Sequence, residues 1–556
     1  MRTDRAVWTL LVSLALATLS CGPPLSADAR SWWSHVQFLA DDRLEGRNTG
    51  SAGHLRAAEY VANEFRHYGA APGGEAVLPG ADRLPIRDPK LERYLQPVHF
   101  ISRQVREPEC QVYLEHAGKL DTLVLGTDAN LGMGIESAPE IDAPAVFVGY
   151  GLSVPEVGYD DLKGLDLRGK IAVSLQGGPA SMPGPLKSHA QSSEQRWKSL
   201  KAAGAIGYAT IPNPKFMDIP WERGTLARLH PSMSLADSAL DDSRGAQFSL
   251  RINPARADRW FAGSGHALHD LMDLANREQP LPRFPLPCAI HARIRYDRAP
   301  IESPNVVAFI PGSDEHLGNE YIVLSAHLDH LGIGGAIKGD SVYNGAMDNA
   351  SGVASLIEIA RMIHASGTKL RRSLVLLAVT GEEKGLLGSR YFAAHPTIPI
   401  HHIVADVNLD MFLPIIPFKI LTVYGLDESD LGDIAKEVAD RYDIRVQRDP
   451  QPQRNSFIRS DQYSFIRRGV PALSFKIGAE PGSPEDKVMK LWTKERYHAP
   501  SDDLKQPVNR EAAAEFTRLL MNYAITVANR KDRPLWKPSS FFKRYAVEGH
   551  PVSLAR

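Results

Sequence analysis

Imidazoles and carboxylates close a series of apolar runs in this chain. His327-Leu328-Asp329 follows the run 321–326, Asp348-Asn349 follows a Gly-rich loop, and Glu382-Glu383 ends the run 373–380. Asp410 ends the run 403–409, and His498 stands before the turn Pro500-Ser501-Asp502. Such runs suit strands buried on both faces, and chemistry in open α/β sheets sits at the carboxyl ends of strands. Taken singly, each residue has an ordinary reading: an acid after a strand caps a helix, one of two adjacent glutamates faces water, and a histidine beside a Pro-rich turn lies near the surface. Dispersed acids and imidazoles all at strand ends are harder to obtain by capping alone. Nitrogen and oxygen donors without thiolate fit a catalytic divalent-cation site better than a closed structural one.

The motifs His327-Leu328-Asp329-His330-Leu331-Gly332, Asn344-Gly345-Ala346-Met347-Asp348-Asn349-Ala350-Ser351-Gly352, Gly381-Glu382-Glu383 with Gly385-Leu386-Leu387-Gly388-Ser389, Asn408-Leu409-Asp410-Met411 and Tyr497-His498 occur in this order. They resemble the dizinc aminopeptidases, a family that also includes glutamate carboxypeptidases. The resemblance implies that His327 and Asp410 bind one metal, that Glu383 and His498 bind another, and that Asp348 bridges the two. It assigns Glu382 as general base, Asp329 as the carboxylate that orients His327, and Asp502 as a similar partner for His498. Two Zn2+ per chain are implied, with Mn2+ or Co2+ also compatible with the donors. Relatives often carry an acid before the bridging aspartate, where this chain has Met347.

Charge counting agrees with that assignment. Two divalent cations bring four positive charges and Asp348, Glu383 and Asp410 remove three. The remaining charge can hold a hydroxide and draw a water's pKa from 15.7 towards about 7. The implied reaction is removal of N-terminal residues from peptides without a covalent intermediate. Asp461 and Tyr463, in a segment similar to one near the family's substrate pocket, are pocket candidates, although Asp461 could equally cap the next helix. A glutamate-type carboxypeptidase would need arginines for a terminal carboxylate, and Arg454, Arg459, Arg467 and Arg468 lie in a suitable region. A catalytically inactive peptide-binding relative would lack ligands, whereas each expected ligand and the base is present.

The elements that must position these residues belong to a chain of 556 residues, 43% hydrophobic and 23% charged, with formal net charge −1. That size predicts more than one domain, and the balance, with no polybasic run, argues against a nucleic-acid or anionic-membrane partner. Arg2 and Arg5 precede the apolar run 6–19, and Ala27-Asp28-Ala29 offers a cleavage site, so residues 1–29 read as an export signal to the periplasm or medium. Cys21 follows an imperfect lipobox, which makes a lipid-anchored form the alternative. Residues 30–98 and 300–530 are expected to form an α/β catalytic domain, with a mixed, mostly parallel sheet covered by helices on both faces. Residues 99–299 read as an insertion of short strands and turns. Its part 137–254 resembles the protease-associated domain, and the loops 177–185 and 212–231 could overhang the site. Cys110 and Cys288 could form a disulfide or lie apart as small apolar residues, and the tail 531–556 carries no evident chemistry. No H-E-x-x-H helix, G-x-S-x-G elbow, C-x-x-C pair or internal repeat is present.

Overall fold

The computed structural model describes residues 25–75, 88–132, 134–454 and 456–549. The apolar run 6–19 and Cys21 lie outside the described residues. The main sheet contains β1 (Leu95–Val105), β2 (Tyr296–Ile310), β3 (Tyr321–His327), β4 (Ser373–Val379), β5 (Ile403–Asn408), β6 (Ile420–Tyr424), β7 (Arg445–Arg448) and β8 (Ala472–Ile477). With the short strand Ser232–Leu235 at one edge, the order is Ser232–Leu235, β1, β2, β4, β3, β5, β8, β6, β7. The central neighbours β4, β3, β5 and β8 run parallel, while β1, β2 and β6 pair antiparallel with their neighbours towards the centre. Every residue of β4 is buried, as expected for a strand covered on both faces.

Helices cover the sheet as the apolar periodicity requires. On one face α1 (Ala27–Leu39), α2 (Ala52–His67), α3 (Ser351–Ser366), α5 (Leu431–Asp440) and α6 (Arg510–Asn529) join Leu324 and Leu376 of the sheet in one core, through residues such as Trp32, Phe65, Ile357 and Phe516. On the other face Phe392 of α4 (Leu387–Ala394) and Phe465 pack on Val323, Val375 and Leu377. The fifth helix ends at Asp440, and Asp443 beyond it takes a left-handed φ of 55°. Ala27, Asp28 and Ala29, the expected cleavage site, form the first turn of α1. Ser26 caps that turn and donates to the Glu511 carboxylate at 2.6 and 2.8 Å, Asp28 accepts from Arg361 and Arg518, and Ala29 is fully buried.

A second sheet of eight strands lies within residues 111–293, in the order Lys119–Thr122, Gln111–His116, Phe284–Arg293, Glu140–Phe147, Ile171–Leu175, Gly207–Ile211, Phe248–Ile252, Ala129–Leu131. It has its own core around Phe147, Phe248, Trp260 and Phe261. The insertion also holds helices such as Gly184–Gln191 and Ser193–Ala202, and part of the loop expected at 177–185 is the start of the first of these. The two units are joined by β1 and β2, which pair from Leu95↔Val306 to Val105↔Tyr296, and by Ser232–Leu235, which returns from the insertion to pair with β1. Cys110 and Cys288 are both free.

Candidate active site

Three adjacent parallel strands bring three of the sequence-selected groups side by side. His327 is the last residue of β3, the end of β4 runs into Glu382-Glu383, and the end of β5 runs into Asp410. Asp348 enters between them on the loop before α3. That loop needs Gly345 at φ +59°, where a Cβ would lie 2.1 Å from the Asp348 carbonyl oxygen, and the first turn of α3 needs Gly352, where one would lie 2.4 Å from the Leu409 carbonyl. Asn349 ties the loop to the Asp410 segment by donating to the Leu409 carbonyl at 2.7 Å. His498 completes the group from a left-handed backbone position, φ 53°.

The Asp348 carboxylate faces both ways. Its Oδ1 lies 3.1 Å from His327 Nε2, which is 3.5 Å from Asp410 Oδ1. Its Oδ2 lies 3.3 Å from His498 Nε2, which is 3.2 Å from Glu383 Oε2. Asp348 Oδ2, Glu383 Oε1 and Asp410 Oδ1 are buried without a hydrogen-bond partner, a costly arrangement for acceptors unless a cation satisfies them. The donor set is oxygen and imidazole nitrogen, which suits divalent zinc, manganese or cobalt. Burial first, then the carboxylates of Glu383, Asp410 and Asp461, push Glu382 well above the usual carboxyl range, against the opposing pull of His327.

Two supporting roles differ from the sequence expectation. Asp329 holds His327 through its main chain, with its carbonyl oxygen 3.0 Å from His327 Nδ1. Its carboxylate instead accepts from the backbone N–H groups of Glu382 (3.1 Å) and Glu383 (3.4 Å) and from Thr49 (2.9 Å), so it positions the Glu382-Glu383 turn. Asp502 does not orient His498: its carboxylate accepts from the N–H groups of Met347 (2.9 Å) and Asp348 (3.0 Å) and from Gln506. In both cases the strong competitor is an unsatisfied backbone donor at a tight turn, which side-chain spacing does not reveal. Arg47 lies fully buried beneath the site. Its guanidinium donates to the carbonyls of Leu328 (2.9 Å), Asn344 (2.7 Å), Gly345 (3.1 Å) and Leu39.

Sequence reasoning passed over His330. It is fully buried, and its Nδ1 lies 2.8 Å from Glu383 Oε1 and 3.9 Å from Asp348 Oδ2, so His330, Asp348 and Glu383 form a second group able to hold a cation beside that of His327, Asp348 and Asp410. The available signal was its place three residues after His327, beyond a strand end where the chain turns back through the site.

Residues 305–524 match the family model "Peptidase family M28". That segment is a peptidase family M28 domain. Over 113 residues the chain is 31% identical to a vacuolar membrane protease of Ajellomyces capsulatus, which covers 18% of this chain and 11% of the relative. Over 225 residues it is 29% identical to a probable leucine aminopeptidase 2 of Aspergillus oryzae, covering 37% of this chain and 41% of the relative. The chain thus spans only about a tenth of the first of these relatives and two fifths of the second. An aminopeptidase from Aneurinibacillus sp. strain AM-1 superposes with a TM-score of 0.54 at 19% identity, over 92% of this chain and 96% of that one, a likeness of fold.

Above the M28 domain's strand ends lies a cavity of about 1060 Å³, with Asp348, Glu382, Asp410 and His498 at its floor. Met411, Tyr424 and Ile477 line one side, and Asp218, Trp221 and Met272 of the insertion line the other. Part of the segment 212–231 therefore does overhang the site. Arg454 and Arg459 face this cavity, and Asp218 pairs with both, at 2.8 Å for Arg459. Arg467 pairs instead with Glu194 and Asp242 and is not on this cavity wall. Asp461 is fully buried, off the cavity wall, and its side chain makes no helix-capping bond. Burial, with Asp410 and Asp329 adding and His327 opposing, raises its carboxyl to about 7. Tyr463 has its hydroxyl 2.8 Å from His189 Nδ1 and lines a second cavity that also reaches Glu382, Glu383 and His498.

Proposed function

We propose that the protein is an exported dizinc aminopeptidase that removes N-terminal residues from peptides. The observation that carries the reading is the Asp348 carboxylate turned between two imidazole and carboxylate groups, with Glu382 beside them at the floor of a cavity. His327, Asp348 and Asp410 would hold one cation, and Asp348, Glu383 and His498 the other. When bound, the cations would polarise the scissile carbonyl and make a water acidic near neutrality. Glu382 takes a proton from the attacking water and delivers it to the leaving amine, so the peptide C–N bond breaks without a covalent enzyme intermediate. Asp329 fixes the turn that aims Glu382, and the insertion roofs the cavity. The names of two similar proteins, a leucine aminopeptidase and an aminopeptidase, support N-terminal rather than internal cleavage.

The insertion is proposed to be a protease-associated domain. Export rests on the basic and apolar start of the chain, with residues 1–29 as the signal and Ala27-Asp28-Ala29 as its cleavage site. Among the described residues no helix is long and apolar enough to cross a membrane. A glutamate-type carboxypeptidase is the second reading, favoured by one observation: Arg454 and Arg459 face the cavity and share Asp218 as a partner. Hydrolysis of a free-amino aminoacyl amide against an N-blocked acidic dipeptide separates the two, and cleavage of the blocked substrate alone would reverse the order. Glu382→Gln is expected to keep two equivalents of metal and lose turnover by roughly two to four orders of magnitude, the usual share of a general base. Near-native turnover in that variant would remove Glu382 from the mechanism.

A further inference from the structure

We propose that a basic cavity between the insertion and the M28 domain, apart from the candidate active site, binds a small organic molecule carrying two or more phosphate groups. The cavity encloses about 690 Å³, a size suited to a phosphorylated metabolite and larger than a free phosphate ion needs. Three stretches of chain build its wall. The insertion helix Ser193–Ala202 buries Trp197 and Leu200 and turns Glu194, Lys198 and Lys201 to the cavity from its opposite face, where Arg244 joins them. The M28 domain adds Arg390 of α4 with Arg467 and Arg468, and the helix Lys543–Gly549 adds Arg544. Neither Glu382 nor any of the expected cation ligands lies on this wall.

The acids of the cavity are already engaged. Arg467 lies 2.7 Å from Glu194 and 3.2 Å from Asp242, and Arg390 lies 2.9 Å from Asp242. Asp241 accepts from Ser243, and Arg544 pairs with Glu156. Seven cations stand against these four acids, a surplus of three positive charges in a chain whose net charge is −1. Lys198, Lys201, Arg244 and Arg468 have no ion-pair partner among the described residues. Burial, with Arg467 adding to it, lowers the Arg468 pKa, as expected for a guanidinium held beside like charge with no anion to offset it. Cations gathered from separate segments repel one another, and a multiply charged anion relieves that repulsion. Two phosphate monoesters bring about three to four negative charges at neutral pH, which matches the surplus, and guanidinium forks fit their oxygens. A bound molecule would tie the insertion to the M28 domain at a second place, away from the paired strands.

The test titrates the full metal-loaded chain with fructose 1,6-bisphosphate, fructose 6-phosphate and inorganic phosphate by calorimetry, at an ionic strength fixed with KCl. One equivalent of the bisphosphate is expected to bind, at least about tenfold tighter than either monophosphate, as two charge-assisted contacts exceed one. Lys198→Gln and Arg468→Gln, both at exposed side chains, should each weaken it about tenfold, the worth of one such hydrogen bond. Lys436→Gln, off the cavity wall, should leave it unchanged. Equal affinity for the three phosphates, no saturable binding, or an equal loss in all three variants would overturn the proposal. So would native affinity in the double variant of Lys198 and Arg468, which would move the bound molecule elsewhere, the metal site included. Peptide hydrolysis is not the readout, so failure here leaves the aminopeptidase reading standing.

Discussion

At the scale of single residues, the site depends on groups that never touch substrate. Arg47 places one guanidinium among four buried carbonyls, three of them on the segments that carry His327 and Asp348. Burial lowers it to about 10, opposed by Asp502, Asp329 and nearby acids, so it remains a cation at neutral pH. Arg47→Met would strand those carbonyls, and a loss of at least about 3 kcal/mol is expected in denaturant unfolding. Asp502→Ala frees the Met347 and Asp348 N–H groups and should cost about 2 kcal/mol while weakening cation binding through Asp348. Unchanged cation affinity in that variant would mean the loop holds Asp348 without help. His327, Glu382, Glu383 and Asp410 were legible because they stand at the ends of largely apolar runs. Their supports were not, because a carboxylate that accepts a backbone N–H, as Asp329 and Asp502 do, leaves no spacing signal in the sequence.

Among the elements, the buried parallel strands were the easiest to foresee. The strands β3, β4 and β5 announce themselves by largely apolar runs, interrupted by Ser325 and Asp406, and their ends fall where the metal-binding motifs begin. By contrast β2 begins with Tyr296-Asp297-Arg298-Ala299-Pro300, a polar start containing proline that carries no strand signal. Its first half is extended because β1, some two hundred residues earlier, lies alongside it. The first helix was masked in the same way, since its opening turn reads as a small-residue processing site. Ser26→Ala removes both the N-cap and a bond to Glu511, and a loss of about 1 kcal/mol is expected, read as a lower melting temperature.

Three buried histidines on different elements make a prediction about acid. Burial is the first cause that lowers His54 to about 3 and His189 and His230 to about 4, from an ordinary 6.5. Between those values the unfolded chain binds protons that the folded chain refuses. Their contribution is therefore fully present above about pH 6.5 and is lost as pH falls towards 4. Thermal unfolding in chelator, which removes any effect of bound cations, should show the midpoint falling across that window, and His189→Gln should make the fall shallower. An equal slope in the variant would rule out His189 as a contributor.

For the whole molecule, the distinguishing arrangement is a site whose floor and roof belong to different units. Asp218 of the insertion binds Arg454 and Arg459 of the M28 domain across the cavity. Asp218→Ala adds one net positive charge there. The expected outcome is a several-fold lower KM for tripeptides with a free carboxylate than for their amides, and the difference should shrink in salt. No change in that ratio would mean the two arginines do not sense the substrate's far end.

The return of Ser232–Leu235 onto β1 has a further consequence for what such an enzyme could digest. A canopy stitched to its base along a strand does not swing open as a hinged cover would, so a polypeptide must thread in from outside as a loose end. Trimming of a folded protein with a floppy leader should then stall a few residues short of the first ordered one, leaving a ragged stub that mass spectrometry would count.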